Sequence, residues 1–227
     1  MTGSKPIAEA GGRLRLSQPL KSLRTRQQIL DATLHCLVDW GYAHTTNEAI
    51  AMRAGLSRGA VTHHFPSREV LFRAFADYLM DVRLVEYRAM VRAVVASLEG
   101  SSGFEAMRLT LDLMDEDYVT SPGFHALQEL LQGARGERFL GRLVARLAQE
   151  IDVRETQVRA ELLPVWQNLP EISEMLRDLT VYVLVSLTIS PEACSDAARR
   201  SRLLDVVAEA AARELEQALI RQASAQP

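Results

Sequence analysis

The chain has 227 residues, is 48% hydrophobic, and carries 26 Lys/Arg against 29 Asp/Glu for a net charge of −3. That length accommodates a small module beside one larger domain, and the apolar share supports a sizeable core. Gly (12) and Pro (8) are sparse and no apolar run approaches the roughly 18–20 residues of a membrane span, which favours helices over strands and sets a spanning segment aside.

Charge is unevenly divided. Residues 1–65 hold eight basic and four acidic side chains, or +4, leaving 18 basic and 25 acidic, or −7, for the rest. A basic head on an acidic body suits a head that meets phosphates. Cys36 and Cys194 are far apart and lack metal-ligand spacing, so both are expected to be reduced thiols. The N-terminus has no apolar stretch of the signal-peptide kind, and a cytoplasmic protein is expected.

Residues 1–19 mix Gly, Ser, Pro and Arg without apolar period and read as a flexible basic tail. A first helix is expected from Ser22 or Thr25 to Trp40, with Thr25 and Gln28 placed for a capping box and Gly41 as its stop. Ile29, Leu30, Thr33, Leu34, Leu37 and Val38 recur at three-four spacing and form its buried face. A second helix opens at Thr45-Thr46, with Thr45 and Glu48 placed for a capping box and Thr46 the alternative cap, and turns Ala49, Ile50 and Ala54 inward. After Gly55-Leu56-Ser57 a short third helix is predicted over 58–65, and Ser67 caps a fourth that contains Val70, Leu71, Phe72, Phe75 and Leu79.

Gly100-Ser101-Ser102-Gly103 reads as a connector. Beyond it, helices are expected over about 104–118, 123–133, 136–163, 171–188 and 196–221. The fourth of these is apolar almost all round, from Ile172 and Met175 to Leu187, and the fifth carries a stripe of Leu204, Val207, Ala211, Leu215 and Leu219. A helix apolar all round must be covered from several sides, and a partner subunit is one candidate cover.

Residues 45–65, TTNEAIAMRAGLSRGAVTHHF, have the makings of a helix-turn-helix. Such a unit needs small residues where two helices touch, a glycine in the turn and polar groups outside. Ala51, Ala54 and Gly55 meet the first two needs, Leu56, Val61 and Phe65 point to the core, and Arg58, Thr62 and His63 are left to face outward. The second helix of the unit lies in the DNA major groove, where a guanidinium can grip guanine O6 and N7 together. Arg58 stands at that end, and Gly59 and Ala60 let the backbone approach the bases.

These residues resemble the TetR family of bacterial regulators. The resemblance runs from Ile29-Leu30-Asp31-Ala32 through Gly41-Tyr42, Thr45-Thr46, Ile50-Ala51 and Ala54-Gly55-Leu56-Ser57-Arg58-Gly59. It continues through His64-Phe65 to Ser67-Arg68-Glu69 and Leu71, across about fifty residues in order. It implies an all-α chain with a three-helix helix-turn-helix DNA-binding domain over 20–72 and a helical ligand-binding and dimerisation domain over 73–227. It also implies a homodimer, joined through helices near 171–188 and 196–221, that reads two half-sites of double-stranded operator DNA. By the same resemblance Thr46 and Asn47 contact phosphate, and Arg58, Gly59 and Ala60 approach bases. Thr62, His63 and His64 contact mostly backbone, and Arg68 stands where the family often has a lysine near phosphate. Many members have tyrosine in place of Thr62, so the backbone grip there is expected to cover less surface.

Blander readings stand beside these. Arg58 is also a candidate solvated arginine, and His64 a candidate packed residue. For Arg24 and Arg26 a basic DNA edge and simple solvent exposure are open alternatives. Adjacent histidines on a helix point about 100° apart, so His63-His64 makes no metal site, and neither metal nor cofactor is expected. Asp112, Asp115, Glu116 and Asp117 read as a solvated helix end.

The resemblance further implies a pocket in the body for a small, apolar effector that releases the DNA, most often from a repressor. Phe104, Met107, Leu111, Met114, Tyr118, Phe124, His125, Trp166, Met175 and Tyr182 are candidate linings, each also a candidate for ordinary core. No phosphate loop, HExxH or nucleophile elbow is present, so no enzyme is expected. Two alternatives remain, to be settled by what the body contains. A helical-bundle enzyme needs a titratable cluster there, and a ligand-independent DNA-binding or interaction module needs no cavity.

Overall fold

The computed structural model describes residues 18–98, 100–101, 103–189 and 196–225, and every regular element among them is helical. The basic tail, apart from its last two residues, and Cys194 lie outside the described residues. In chain order the α-helices are α1 (Gln18–His44), α2 (Asn47–Ala54), α3 (Arg58–His64), α4 (Arg68–Ser97), α5 (Phe104–Leu113), α6 (Pro122–Gly133), α7 (Arg138–Leu162), α8 (Pro170–Ile189) and α9 (Ala197–Ala225). A π-helical turn, Met114–Tyr118, extends α5, and a 3-10 turn, Pro164–Asn168, separates α7 from α8. No helix among the described residues is long and apolar enough to cross a membrane.

Local chemistry explains most of the boundaries. Gly41 breaks α1 with a left-handed φ of 77°, as its position predicts, and a final turn then runs to His44. Thr46 caps α2 by accepting from the Ala49 amide at 3.2 Å, which decides between the two threonines. Ser57 caps α3, Ser67 caps α4, and Ser121 with Pro122 opens α6. One expectation is overturned. Thr25 lies inside α1 and donates to the Lys21 carbonyl, so it caps nothing, because the helix already runs from Gln18, about two turns earlier. Its intended partner Gln28 instead donates to the Ala54 carbonyl at 2.5 Å and so closes the far end of α2.

A single core joins the head to part of the body. Ile29, Leu37, Ile50, Val61, Phe65, Phe72, Phe75 and Leu79 pack with Ala126, Leu127 and Leu130 of α6 and Leu140, Val144, Leu147 and Ile151 of α7. A second cluster lies at the far end of α4, where Tyr87, Met90, Val91 and Val94 meet Met114, Tyr118, Phe124, Val158, Leu184, Leu187 and Leu204. With 30 residues, α4 is about 45 Å long and belongs to both.

The joint between head and body is tightest at Tyr42. Its hydroxyl donates to Glu137 at 2.5 Å, and a β-carbon at Gly133, the last residue of α6, would run into its ring. Gly41 is shielded similarly, since a β-carbon there would sit 2.8 Å from the Glu129 carboxylate. Because both hydroxyl and ring of Tyr42 are held, the ring cannot swing aside. Gly133→Ala is therefore expected to destabilise the fold by about 1–3 kcal/mol through overpacking, measured as a lower urea midpoint at unchanged slope.

Candidate nucleic-acid interface

Helices α2 and α3 form a compact unit because each buries one apolar face and has its ends capped. Ile50, Ala51, Ala54, Val61 and Phe65 are buried against α1 and α4. Gly55 adopts φ 63°, and the amides of Gly55 and Leu56 donate to the carbonyls of Met52 and Ala51, a Schellman closure that needs a left-handed residue. Arg53 packs over the Trp40 ring and pairs with Asp39 at 2.5 Å, fastening α2 to α1. Arg26 lies over the Phe65 ring at 4.4 Å and reaches the His64 carbonyl at 3.5 Å. Its guanidinium thus closes the end of α3, whereas Arg24 is exposed.

What this leaves outside is the polar face of α3. Arg58, Gly59, Thr62 and His63 are exposed, Ala60 is half-buried, and Thr46 and Asn47 flank them at the start of α2. A β-carbon at Gly59 would meet nothing nearer than the Ser57 hydroxyl at 3.8 Å, so internal packing does not require glycine there. Bareness at that position suits an external surface that comes close. Arg58 is 70% exposed and is held 2.9 Å from Glu48, an exposed pair across the α2–α3 face. Thr62 donates to the Arg58 carbonyl at 3.1 Å. His64 is half-buried, and burial, then His63 and Arg26, hold its imidazole below the ordinary histidine value.

Arg68 has a different setting from its neighbours. Its guanidinium lies between the rings of Tyr42 and Phe72, at 4.4 and 4.8 Å, and donates to the Thr45 carbonyl (2.6 Å), the Tyr42 carbonyl (3.1 Å) and the Tyr42 hydroxyl (3.2 Å). It therefore fixes the turn that presents Thr46 and Asn47. Glu48 and Tyr42 were not singled out as contributors to this face from sequence. Glu48 was visible only as the partner of Thr45 in a possible capping box, and Tyr42 only beside the Gly41 stop and within the family resemblance.

In the body, α4, α5, α7, α8, α9 and the 3-10 turn line a partly open cavity of about 240 Å³. Of the ten candidate linings, Met107, Leu111, Met114 and Trp166 stand on its wall, together with Tyr87, Met90, Val91, Val94, Arg159, Leu163, Ser173, Leu176 and others. The other six candidates stand elsewhere. Tyr118 and Phe124 are buried core, Phe104 is exposed at the start of α5, and His125 is half-buried in α6 outside the lining. Met175 and Tyr182 point away from the cavity because they occupy the outer face of α8, 42% and 69% exposed. Periodicity alone marks a residue as apolar, and which neighbour it faces depends on how the helices cross.

Two groups of buried charge were also missed. Arg83, Tyr118 and Glu155 bond to one another, with Arg83 3.1 Å from Glu155 and its guanidinium over the rings of Tyr118 and Phe124. Burial pushes the Glu155 carboxyl up, against the pull of Arg83. Arg159 donates to Tyr87, Ser173 and Thr156. A signal existed, since Arg83 and Glu155 sit on the apolar stripes of α4 and α7, between Leu79 and Tyr87 and between Ile151 and Val158. The acidic run also does more than face solvent, because Asp112 pairs with Arg108 and Asp115 pairs with Arg200 of α9.

Comparison with known proteins adds to the geometry. Residues 29–75 match the family model described as bacterial regulatory proteins, tetR family. The HTH-type transcriptional repressor AcnR of Corynebacterium glutamicum is 31% identical over 108 residues, which cover 47% of this chain and 57% of AcnR. The chain thus spans little more than half the length of that relative. The HTH-type transcriptional regulator CymR of Pseudomonas putida is 25% identical over 189 residues, 74% of this chain and 93% of CymR. Among solved structures, a TetR-family regulator from Mesorhizobium loti superposes with a TM-score of 0.60 at 16% identity, covering 86% of this chain and 96% of the other.

The two arginines of this face should separate cleanly. Arg58→Ala is expected to leave the melting temperature within about 2 °C, since the side chain is exposed, while weakening specific DNA binding by roughly 1–3 kcal/mol. Arg68→Ala removes three charge-assisted hydrogen bonds and is expected to cost about 2 kcal/mol or more, a fall of roughly 4–8 °C in calorimetry.

Proposed function

We propose that this chain is a transcriptional repressor of the TetR family that binds a near-palindromic operator as a homodimer and leaves it when a small, largely apolar effector enters the body cavity. The observation that carries the DNA reading is the capped α2–α3 unit whose outer face holds Arg58, Gly59, Thr62 and His63 while Val61 and Phe65 anchor it from behind. In this reading Arg58 grips a guanine edge, and Gly59 and Ala60 allow the approach. Thr46, Asn47, Thr62, His63 and His64 lie along the phosphates, and Arg68 acts by holding the α2 turn in place. Arg58 must exchange Glu48 for a base, an exchange that an exposed pair permits at little cost.

The relatives in sequence are transcriptional regulators, which sets the enzyme alternative aside. A cavity in the body favours an effector over a ligand-independent module. Coupling follows from α4, whose first turns carry the head while Tyr87, Met90, Val91 and Val94 line the cavity. An effector that fits one setting of α4 better than another shifts the spacing of the two heads by its differential affinity.

Met175, Leu179 and Tyr182 of α8 and Leu203, Val206 and Ile220 of α9 leave apolar area exposed on one protomer. Two such helices covering their equivalents would bury it about a two-fold axis. Sedimentation at micromolar concentration is expected to give a dimer, and Tyr182→Glu with Val206→Glu a monomer; a wild-type monomer would sink the paired half-site reading.

Selection of bound fragments from genomic DNA should return a motif of two inverted half-sites. Affinity for it should fall steeply with salt, since each neutralised phosphate releases counterions. Fragments without a shared motif would refute sequence-specific binding.

A further inference from the structure

The cavity wall is mainly hydrocarbon, with one polar cluster that the repressor reading does not account for. Arg159 is only 8% exposed and lines the cavity together with Tyr87 and Ser173. Its Nε donates to the Ser173 hydroxyl at 3.2 Å, Nη1 to the Tyr87 hydroxyl at 2.9 Å and Nη2 to the Thr156 hydroxyl at 3.0 Å. All three acceptors are neutral; burial pushes the Tyr87 phenol up to about 12, so it stays protonated. A guanidinium has five N–H groups, so two remain beyond these bonds.

The neighbouring carboxylates are otherwise engaged. Glu155, one turn earlier on α7, takes Arg83 and Tyr118 on the same oxygen and acts on Arg159 only through space, without a hydrogen bond to it. Arg177, the second arginine on the wall, pairs with Asp152 and Asp178. Among the described residues no Asp or Glu forms an ion pair with Arg159. A buried cation bonded only to neutral hydroxyls, and sharing the field of Glu155 with Arg83, keeps part of its desolvation cost, and an anion from outside relieves it.

We propose that Arg159, Tyr87 and Ser173 form the anion end of the effector site, and that the effector is a small amphipathic carboxylic acid. Its carboxylate takes the spare N–H groups of Arg159 and the hydroxyl protons of Tyr87 and Ser173, and its hydrocarbon lies along Met90, Val94, Met107 and Leu176. The assignment rests on the reading of this cavity as the effector site. Size narrows the class. A cavity of about 150 Å³ takes benzene, so 240 Å³ suits a single ring with a short chain, or a linear acyl chain of about eight carbons. A cation would meet an unpaired guanidinium, and a neutral ligand would leave it unpaired.

The test uses the full-length protein with octanoate and 3-phenylpropanoate against octan-1-ol, 3-phenylpropan-1-ol and octylammonium. Binding is followed by calorimetry and by the fluorescence of Trp166, which lines the cavity. The acids are expected to bind about tenfold or more tighter than the matched alcohols, as a charge-assisted bidentate contact allows. Arg159→Gln should abolish that preference while the alcohols bind as before, and Arg159→Lys should keep part of it. Should Arg159→Gln fail to fold, Ser173→Ala leaves the guanidinium in place and is expected to weaken the acids alone, by a few-fold.

Alcohols binding as tightly as acids, a preference that survives Arg159→Gln in folded protein, or no binding by any probe would each overturn the assignment. Release of a selected operator fragment is measured separately. Acids that bind at Arg159 without releasing DNA would uphold the anion site and sink the effector reading.

Discussion

The guanidinium of Arg68 and the ring of Tyr42 hold this molecule together at the place where its two halves meet. Arg68 lies between two aromatic rings and donates to two main-chain carbonyls and a hydroxyl, so the turn between α1 and α2 is fastened to the first turns of α4 through one planar group. Tyr42 then passes the constraint on. Its hydroxyl donates to Glu137 just before α7, and its ring fills the space that Gly133 leaves at the end of α6. Burial and the Glu137 hydrogen bond push the Tyr42 phenol up, so it remains a donor at neutral pH. The orientation of the α2 turn is thereby referred to α6 and α7, and any movement of those helices reaches Thr46 and Asn47 through a short, well-bonded route.

The same logic operates halfway along α4. There Arg83, Tyr118 and Glu155 tie α4 to the π-helical turn and to α7, and Ser121 with the Gly123 amide holds Glu86 of α4 against the start of α6. Buried charges of this kind are poor sources of stability, because desolvation offsets much of their attraction. They are good at fixing register, since a helix that slides by one residue leaves a buried charge without its partner. With polar fixtures at its start and its middle and apolar packing between and beyond them, α4 behaves as one stiff element shared by the head and the cavity wall.

The head and the body differ in how much of them the sequence displays. Thr46, Gly55, Ser57 and Ser67 act within three or four residues of themselves, and their roles follow from local backbone chemistry. Arg58, Gly59 and Thr62 are legible for a related reason, since a short helix with Val61 and Phe65 inward has only one face left to present. Arg68 shows where that reading stops. Its place in the motif is evident, but its engagement with Tyr42 and Thr45 depends on how α4 crosses α1, which no local pattern encodes. In the body, Met107 and Met114 reached the cavity wall, while Tyr182 faced away and Tyr118 joined the core.

The sequence by itself determined the all-helical class, nearly all the helix boundaries, and the location and outer face of the helix-turn-helix. Caps, glycine stops and apolar periods act over a few residues, and the family resemblance falls on that same stretch. Tertiary structure alone decided which apolar side chains surround the cavity and which lie exposed on α8 and α9. It also decided that Arg83 and Glu155 pair with each other while Arg159 meets only hydroxyls. Those outcomes depend on crossing angles between helices distant in sequence, and periodicity gives the face of a helix without naming what lies opposite it.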